Sequence, residues 1–221
     1  MPGQLAISCH DAGVPVPPAR LPAGVQRVAV AGGNAAGKTT MARALAARLG
    51  LPCAEMDALR FDSDWVVRPE FEADVDALLA AGNWCTELQY GEVTQRLLAT
   101  ADVVVWLDCP WSLAAVRVVR RTARRVLTGT PAFGTATETF RGCLDRKHAL
   151  WMVWSPRWWR VRAAVREELA GAAARGVPVV RLRGARSADR WLADVPARGT
   201  ACAASSPGST RCGTGMAVTG S

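Results

Sequence analysis

The order of elements along the chain predicts an α/β fold, a parallel sheet with helices on both faces in three layers. Three observations carry this. Short apolar runs alternate with segments of helical composition. One run, residues 103–107, is continuously apolar, as expected of a strand buried on both faces. No apolar stretch approaches the ~18 residues that would span a membrane. The 221 residues are 50% hydrophobic and 21% charged, enough apolar material for one core and too much for a disordered chain.

The elements follow in order. Residues 25–31, with Val25, Val28 and Val30, read as a first strand. Lys38 to Leu49 reads as a helix stopped by Gly50 and Pro52. A short strand is expected at 53–56. A helix is expected from Pro69, whose missing N–H costs least in a first turn, to Leu79, with Gly82 ending it. Further strands are expected at 84–88, 103–107 and 177–182, and helices at 91–100, 111–127 and 187–195. Residues 1–24 are rich in Pro and Gly and predict a mobile leader; residues 196–221 are small and polar and predict a disordered tail, leaving 25–195 as the folded domain. Seven cysteines form no CxxC pair and there are only two histidines, which speaks against a zinc site or a disulfide framework. With no secretory signal, a reduced, cytoplasmic protein is expected.

Net charge is +8, but residues 117–166 alone hold 12 basic and 2 acidic side chains, a local +10 that leaves −2 elsewhere. A confined excess suits a small phosphorylated ligand better than general affinity for nucleic acid, though both readings stand.

The strongest motif is Gly32-Gly33-Asn34-Ala35-Ala36-Gly37-Lys38-Thr39, a full G-x-x-x-x-G-K-[ST] between a predicted strand and a predicted helix. Glycines let the backbone wrap a phosphate, successive N–H groups point inward, and the helix N-terminus adds positive potential. Lys38 is expected on the β- and γ-phosphates and Thr39, followed by Thr40, on Mg²⁺. Asp108 closes the apolar run 103–107 and resembles a Walker B acid that holds Mg²⁺; as a turn residue before Pro110 it would have only a structural role.

Beyond the loop, Asp57-Ala58-Leu59-Arg60 resembles the D-x-L-R segment of adenylate and other nucleoside monophosphate kinases. The resemblance is closer to a bacterial group described as adenylate-kinase-like or DNA-topology-modulation proteins. GGNAAGKTT, MDALR, WCTELQY, WLDCP and LWMVWSPRWW occur in that group's order across about residues 25–170. The resemblance implies a P-loop NTPase fold, a five-stranded parallel sheet of order 2-3-1-4-5 with an Arg-rich lid at about 117–155. It implies ATP as donor, Mg²⁺, and phosphoryl transfer to a small acceptor; no GTPase-type N-K-x-D segment occurs. Where the group has D-G-N-Y this chain has Glu87-Leu88-Gln89-Tyr90, and the Arg-bearing AMP segment of true adenylate kinases is missing, so AMP is not implied.

By this resemblance Asp57, Arg60, Glu87 and Tyr90 face the acceptor. Asp57 admits three readings: a base or hydrogen-bond acceptor for a hydroxyl, a Mg²⁺ residue through water, or an N-cap. Arg60 is an acceptor-phosphate fork or a solvated surface residue. Arg117, Arg120, Arg121, Arg124 and Arg125 share a helical face opposite Leu113, Val116, Val119, Ala123 and Val126. The resemblance points to Arg120 and Arg121 as the pair that closes over the transferring phosphoryl group with Lys38 and Asp57. Trp151, Trp154 and Trp158 read as a core stripe, with Trp159 and nearby arginines offering instead a surface on which bases stack. His148 and Cys109 are minor candidates for acid catalysis and redox sensitivity. The alternatives are a nucleic-acid-associated regulator that uses nucleotide as a switch, and an ATP-binding protein without catalysis.

Overall fold

The computed structural model describes residues 21–62, 66–129, 131–133, 136–137 and 149–197. Most of the leader and tail, His148 and part of the 128–140 loop lie outside the described residues. The elements are β1 (Arg27–Gly32), α1 (Lys38–Leu49), β2 (Cys53–Ala54), α2 (Met56–Arg60), α3 (Phe71–Ala80), β3 (Trp84–Glu87), α4 (Gly91–Thr100) and β4 (Val103–Leu107). They continue with α5 (Trp111–Thr128), β5 (Pro131–Phe133), β6 (Ala136–Thr137), α6 (Ala149–Trp154), α7 (Pro156–Ala174), β7 (Val179–Leu182) and α8 (Ala185–Asp194).

The main sheet has five strands in the order β2-β3-β1-β4-β7, all parallel, which is the expected 2-3-1-4-5 with β7 as fifth strand. β5 and β6 pair antiparallel outside it. Strand alternation divides the core. Val28 and Val30 turn to one face with Val103 and Val105, where α1, α5 and α8 cover them. Ala29 and Ala31 turn to the other with Val104 and Trp106, beneath α3 and α4. α7 joins the two layers, since Trp158 near its start packs into the first core and Leu169 and Ala172 near its end into the second. Among the described residues no helix is long and apolar enough to cross a membrane.

Three expectations are corrected. Cys53–Met56 is not one strand; β2 stops at Ala54 and Met56 opens α2 with its side chain buried. On α5 the buried side is Ala114, Ala115, Val118 and Thr122, while Val116 and Val119 are exposed. Small side chains let the helix approach its neighbours closely, and the larger valines are left outside. The tryptophan stripe also fails. Trp158 is buried, but Trp151 and Trp154 are 47% and 53% exposed. The chain breaks at Ser155, and Pro156 starts a new helix at its first position, so spacings of three and four across the break place no common face. α7 itself is absent from the expected elements: only Trp158, Leu169 and Ala172 along its 19 residues are buried, too few to mark a periodic stripe.

Candidate active site

The glycine-rich loop joins the central strand β1 to α1 at the carboxyl end of the sheet. Gly37 precedes α1 at φ 97°, Ala35 sits at φ 58° and Gly32 at φ 156°, so three of its residues adopt backbone that side chains rarely favour. α1 has neither a side-chain cap nor an acid in its first turn, which leaves its N-terminal N–H groups and positive end open to an anion. Gly32 allows a close approach: an added Cβ would lie 3.0 Å from both the Ala36 Cβ and the Leu107 carbonyl oxygen. Neither can swing aside, so Gly32→Ala is expected to cost about 1–3 kcal/mol of stability. Thermal melting against the parent chain checks it; an unchanged midpoint would refute the close packing.

Lys38 reaches back, its Nζ donating to the Gly33 carbonyl at 3.4 Å. Burial pushes its pKa down, with Glu87 and Asp57 pulling it back up and Arg121 adding to the fall. Thr39 Oγ1 donates to Glu87 Oε2 at 3.0 Å. Glu87 ends β3 directly beside Val30 of β1 and is buried. Burial raises its pKa, opposed by Lys38 and the Thr39 hydroxyl. A hydroxyl and a carboxylate thus stand together beside the loop lysine.

Asp57, in the first turn of α2, receives two hydrogen bonds on Oδ1: Gln89 Nε2 at 2.7 Å and the Tyr90 hydroxyl at 2.5 Å. Its Oδ2 has no partner among the described residues. Tyr90 precedes α4 at φ 68°, a strained conformation for a tyrosine that aims its ring and hydroxyl toward Asp57. The Arg60 guanidinium lies 4.2 Å from the Tyr90 ring centroid, with Phe71 and Phe61 around it, and pairs with Glu92. The expected phosphate fork is therefore an aromatic-boxed ion pair, with its charge already matched.

Asp108 differs most from expectation. Arg162 of α7 donates to its Oδ1 at 2.6 Å, and Arg181 of β7 to its Oδ2 at 2.6 Å. Arg181 also stacks on Trp106 at 4.5 Å. Burial would raise the Asp108 pKa, but the two guanidinium groups outweigh it and hold the carboxyl below the ordinary 3.8. With two cations on one buried carboxylate, Asp108 ties α7 and β7 together at the end of β4.

α5 brings Arg117 to the loop, its Nη1 donating to the Ala36 carbonyl at 2.8 Å and the Ala35 carbonyl at 3.4 Å. Arg121 is near enough to influence Lys38. Arg120 is exposed and makes none of these loop contacts. The 3.6-residue period separates Arg120 from the edge shared by Arg117 and Arg121, and only packing decides which edge meets the loop. Trp158 covers the loop from α7, its ring 3.2 Å from where a Gly33 Cβ would stand. The Trp158 indole N–H is buried with no partner.

Lys38, Gln89, Tyr90 and Trp158 line one cleft of about 470 Å³, between Gly32, Asn34 and Lys38 of the loop, the Leu88–Thr94 segment and one face of α7. A cleft of this size suits a small molecule. Leu88, which replaces the glycine of the resembling group, forms part of its wall. Its described strand-end residues come from β1 and the end of β3, which places it on the β3 side of the loop. Among the described residues no three His, Cys, Asp or Glu side chains group as a metal cage. Mg²⁺ needs none, because it takes one or two protein oxygens and completes its shell from phosphates and water. Cys53, Cys85 and Cys109 are free thiols.

A parallel sheet of this order with a glycine-rich loop leading from its central strand into Lys38-Thr39 defines a P-loop α/β protein. No family model and no curated protein matches the chain. Solved structures similar to it include a gluconokinase from Sinorhizobium meliloti 1021, at 19% identity over 79% of this chain and 93% of that one, TM-score 0.41. Another is a shikimate kinase from Acinetobacter baumannii in complex with shikimate, at 17% identity over 77% and 90%, TM-score 0.44. A sugar kinase from Janibacter sp. HTCC2649 matches at 19% identity over 64% and 98%, TM-score 0.32.

Proposed function

We propose that the chain is an ATP-dependent phosphotransferase that phosphorylates a small hydroxylated acceptor. The observation that carries this reading is the Thr39–Glu87 pair beside Lys38, a residue that lines the cleft together with Gln89 and Tyr90, the two partners of Asp57. Lys38 and the loop N–H groups would hold the β- and γ-phosphates. Thr39 and Glu87 would hold Mg²⁺, which when bound neutralises charge on the phosphoryl oxygens. Glu87 takes the metal role expected of Asp108.

In the transfer, the acceptor hydroxyl oxygen bonds to the γ-phosphorus while the bond from that phosphorus to the β–γ bridging oxygen breaks. ADP leaves with the bond's electron pair, and the hydroxyl proton passes to Asp57 Oδ2. Gln89 and Tyr90 keep Asp57 oriented by occupying its other oxygen. Arg121, whose charge acts on Lys38, would meet the transferring group, Arg117 would brace the loop through the Ala35 and Ala36 carbonyls, and Trp158 would keep water from the loop. ATP use and free thiols accord with a cytoplasmic location.

The test is incubation with Mg-ATP and a panel of nucleosides, nucleoside monophosphates, sugars and small hydroxylated metabolites, with products read by mass. Asp57→Asn is expected to lower kcat about 100-fold while leaving the affinity for ATP unchanged. Full activity in that variant removes the proton-accepting role.

One observation favours a second reading. Trp151, Trp154 and Trp159 are exposed beside Arg157 and Arg160, an arrangement on which unpaired bases stack. Titration with single-stranded DNA at low and high salt tests it: tight, steeply salt-dependent binding supports a nucleic-acid role, and no binding at low salt ends it.

A further inference from the structure

The cleft is polarised along α7. Arg157, Val161, Ala164, Val165 and Glu168 are spaced by four, three, one and three residues, so one face of the helix lines it. Trp158 anchors the start of that face on Gly33 of the phosphate loop. Glu168 lies ten residues further along, about 15 Å at the α-helical rise. Between them the α7 wall is apolar, made by Val161, Ala164 and Val165, and Leu88, Gln89, Tyr90 and Thr94 also line the cleft.

Glu168 is a half-buried carboxylate with no cationic partner among the described residues. Twelve basic residues crowd positions 117–166, and none of those among the described residues forms a salt bridge with it. Burial, with Glu167 adding to it, raises the Glu168 pKa, as expected of a carboxylate deprived of both water and a counter-charge. Trp158 lines the loop end of the same cleft, and its indole N–H is buried away from the surface with no partner among the described residues. A carboxylate lining the cleft with no ion-pair partner among the described residues is a cost that a cationic ligand group removes.

We infer that the acceptor is an elongated amine-bearing alcohol: its hydroxyl end lies under Trp158 at the phosphate loop, its middle against the apolar walls, and its ammonium on Glu168. This rests on the phosphotransferase reading for what happens to the hydroxyl, but the binding prediction stands apart from it. The ammonium and the reacting oxygen must be roughly 10–15 Å apart, a spacing set by the helical rise.

The experiment uses the full chain and two matched pairs of probes, the β-1,4-linked glucosamine disaccharide with its fully N-acetylated form, and 8-aminooctanol with its N-acetyl form. Each pair preserves the hydroxyl and removes the positive charge. Binding is read by quenching of tryptophan fluorescence and turnover by mass with Mg-ATP. Preference for the amine of roughly 10- to 100-fold is expected in at least one pair, the range for a charge-assisted hydrogen bond. In Glu168→Gln, with circular dichroism confirming the fold, that ratio is expected to fall to about one. Equal affinity for both members of both pairs overturns the inference, and so does a preference that survives in Glu168→Gln. Amine-selective binding that is lost in Glu168→Gln without phosphorylated product upholds the site and overturns the transfer reaction. Product from neutral probes alone does the reverse.

Discussion

Lys38→Ala is expected to cut phosphoryl transfer by about 10³-fold or more while leaving the fold intact. The lysine is the only basic side chain within the loop sequence, and its Nζ already hovers at the Gly33 carbonyl, where the loop's phosphate would sit. Its charge is most valuable in the transition state, when negative charge develops on the bridging oxygen and the site excludes water; losing one well-placed donor typically costs 10²–10³-fold, and a full charge more. Arg117 does not replace it, because its guanidinium is engaged with the Ala35 and Ala36 carbonyls. Burial depresses the Lys38 pKa, so in the parent chain the charge is lost at lower pH than for a solvated lysine. Rate should therefore fall early on the alkaline side. Initial rates with the acceptor found in the panel test both points. A variant retaining more than a tenth of the rate would show that the loop binds nucleotide without Lys38 taking part in transfer.

Asp108→Ala is expected to destabilise the protein by about 3 kcal/mol and to loosen α7 from the sheet. Asp108 is buried and carries both Arg162 and Arg181, so its removal leaves two guanidinium groups facing each other in a poorly solvated place. Breaking a buried pair in this way costs about 3–5 kcal/mol. The lower end applies because the Arg162 side chain is 29% exposed and regains some water. The same carboxylate gives an acid dependence. Its folded pKa lies below the ordinary 3.8, so its contribution is complete above the unfolded value and is lost as pH falls below about 5 toward the folded pKa. Urea midpoints at pH 7 and pH 4 test both effects. The parent should lose stability on acidification and the variant should lose less. Equal acid sensitivity in the two proteins would show that Asp108 is not the titrating group. Because α7 places Trp158 on Gly33, the variant should also bind nucleotide more weakly.

The phosphate loop was legible because its chemistry is local. Eight consecutive residues supply the glycines, the lysine and the hydroxyl, and flanking strand and helix signals give the context. The strands were legible for a related reason: burial on both faces leaves a continuous apolar run, as in Val103–Leu107. Their order across the sheet came only through family resemblance, since no single strand encodes its neighbours. The acceptor side was half legible. Asp57 and Tyr90 stood out as residue types, but that Gln89 and Tyr90 both bind the same Asp57 oxygen depends on a chain reversal between α2 and the end of β3.

Three features are legible in the sequence: the alternation of strands and helices, the glycine-rich loop with its lysine and threonine, and the basic segment at 117–166. Each is written in neighbouring residues or in a short period. Packing sets which acid stands beside Thr39, because Glu87 and Asp108 both lie at the ends of strands adjacent to β1 and nothing local distinguishes them. It made Asp108 an anchor by bringing Arg162 and Arg181 onto it from 54 and 73 residues away. It turned Arg117 rather than Arg120 to the loop and set Glu168 along the cleft with no ion-pair partner among the described residues. Charge matching acts through space at a few ångströms, and a sequence records distance along the chain.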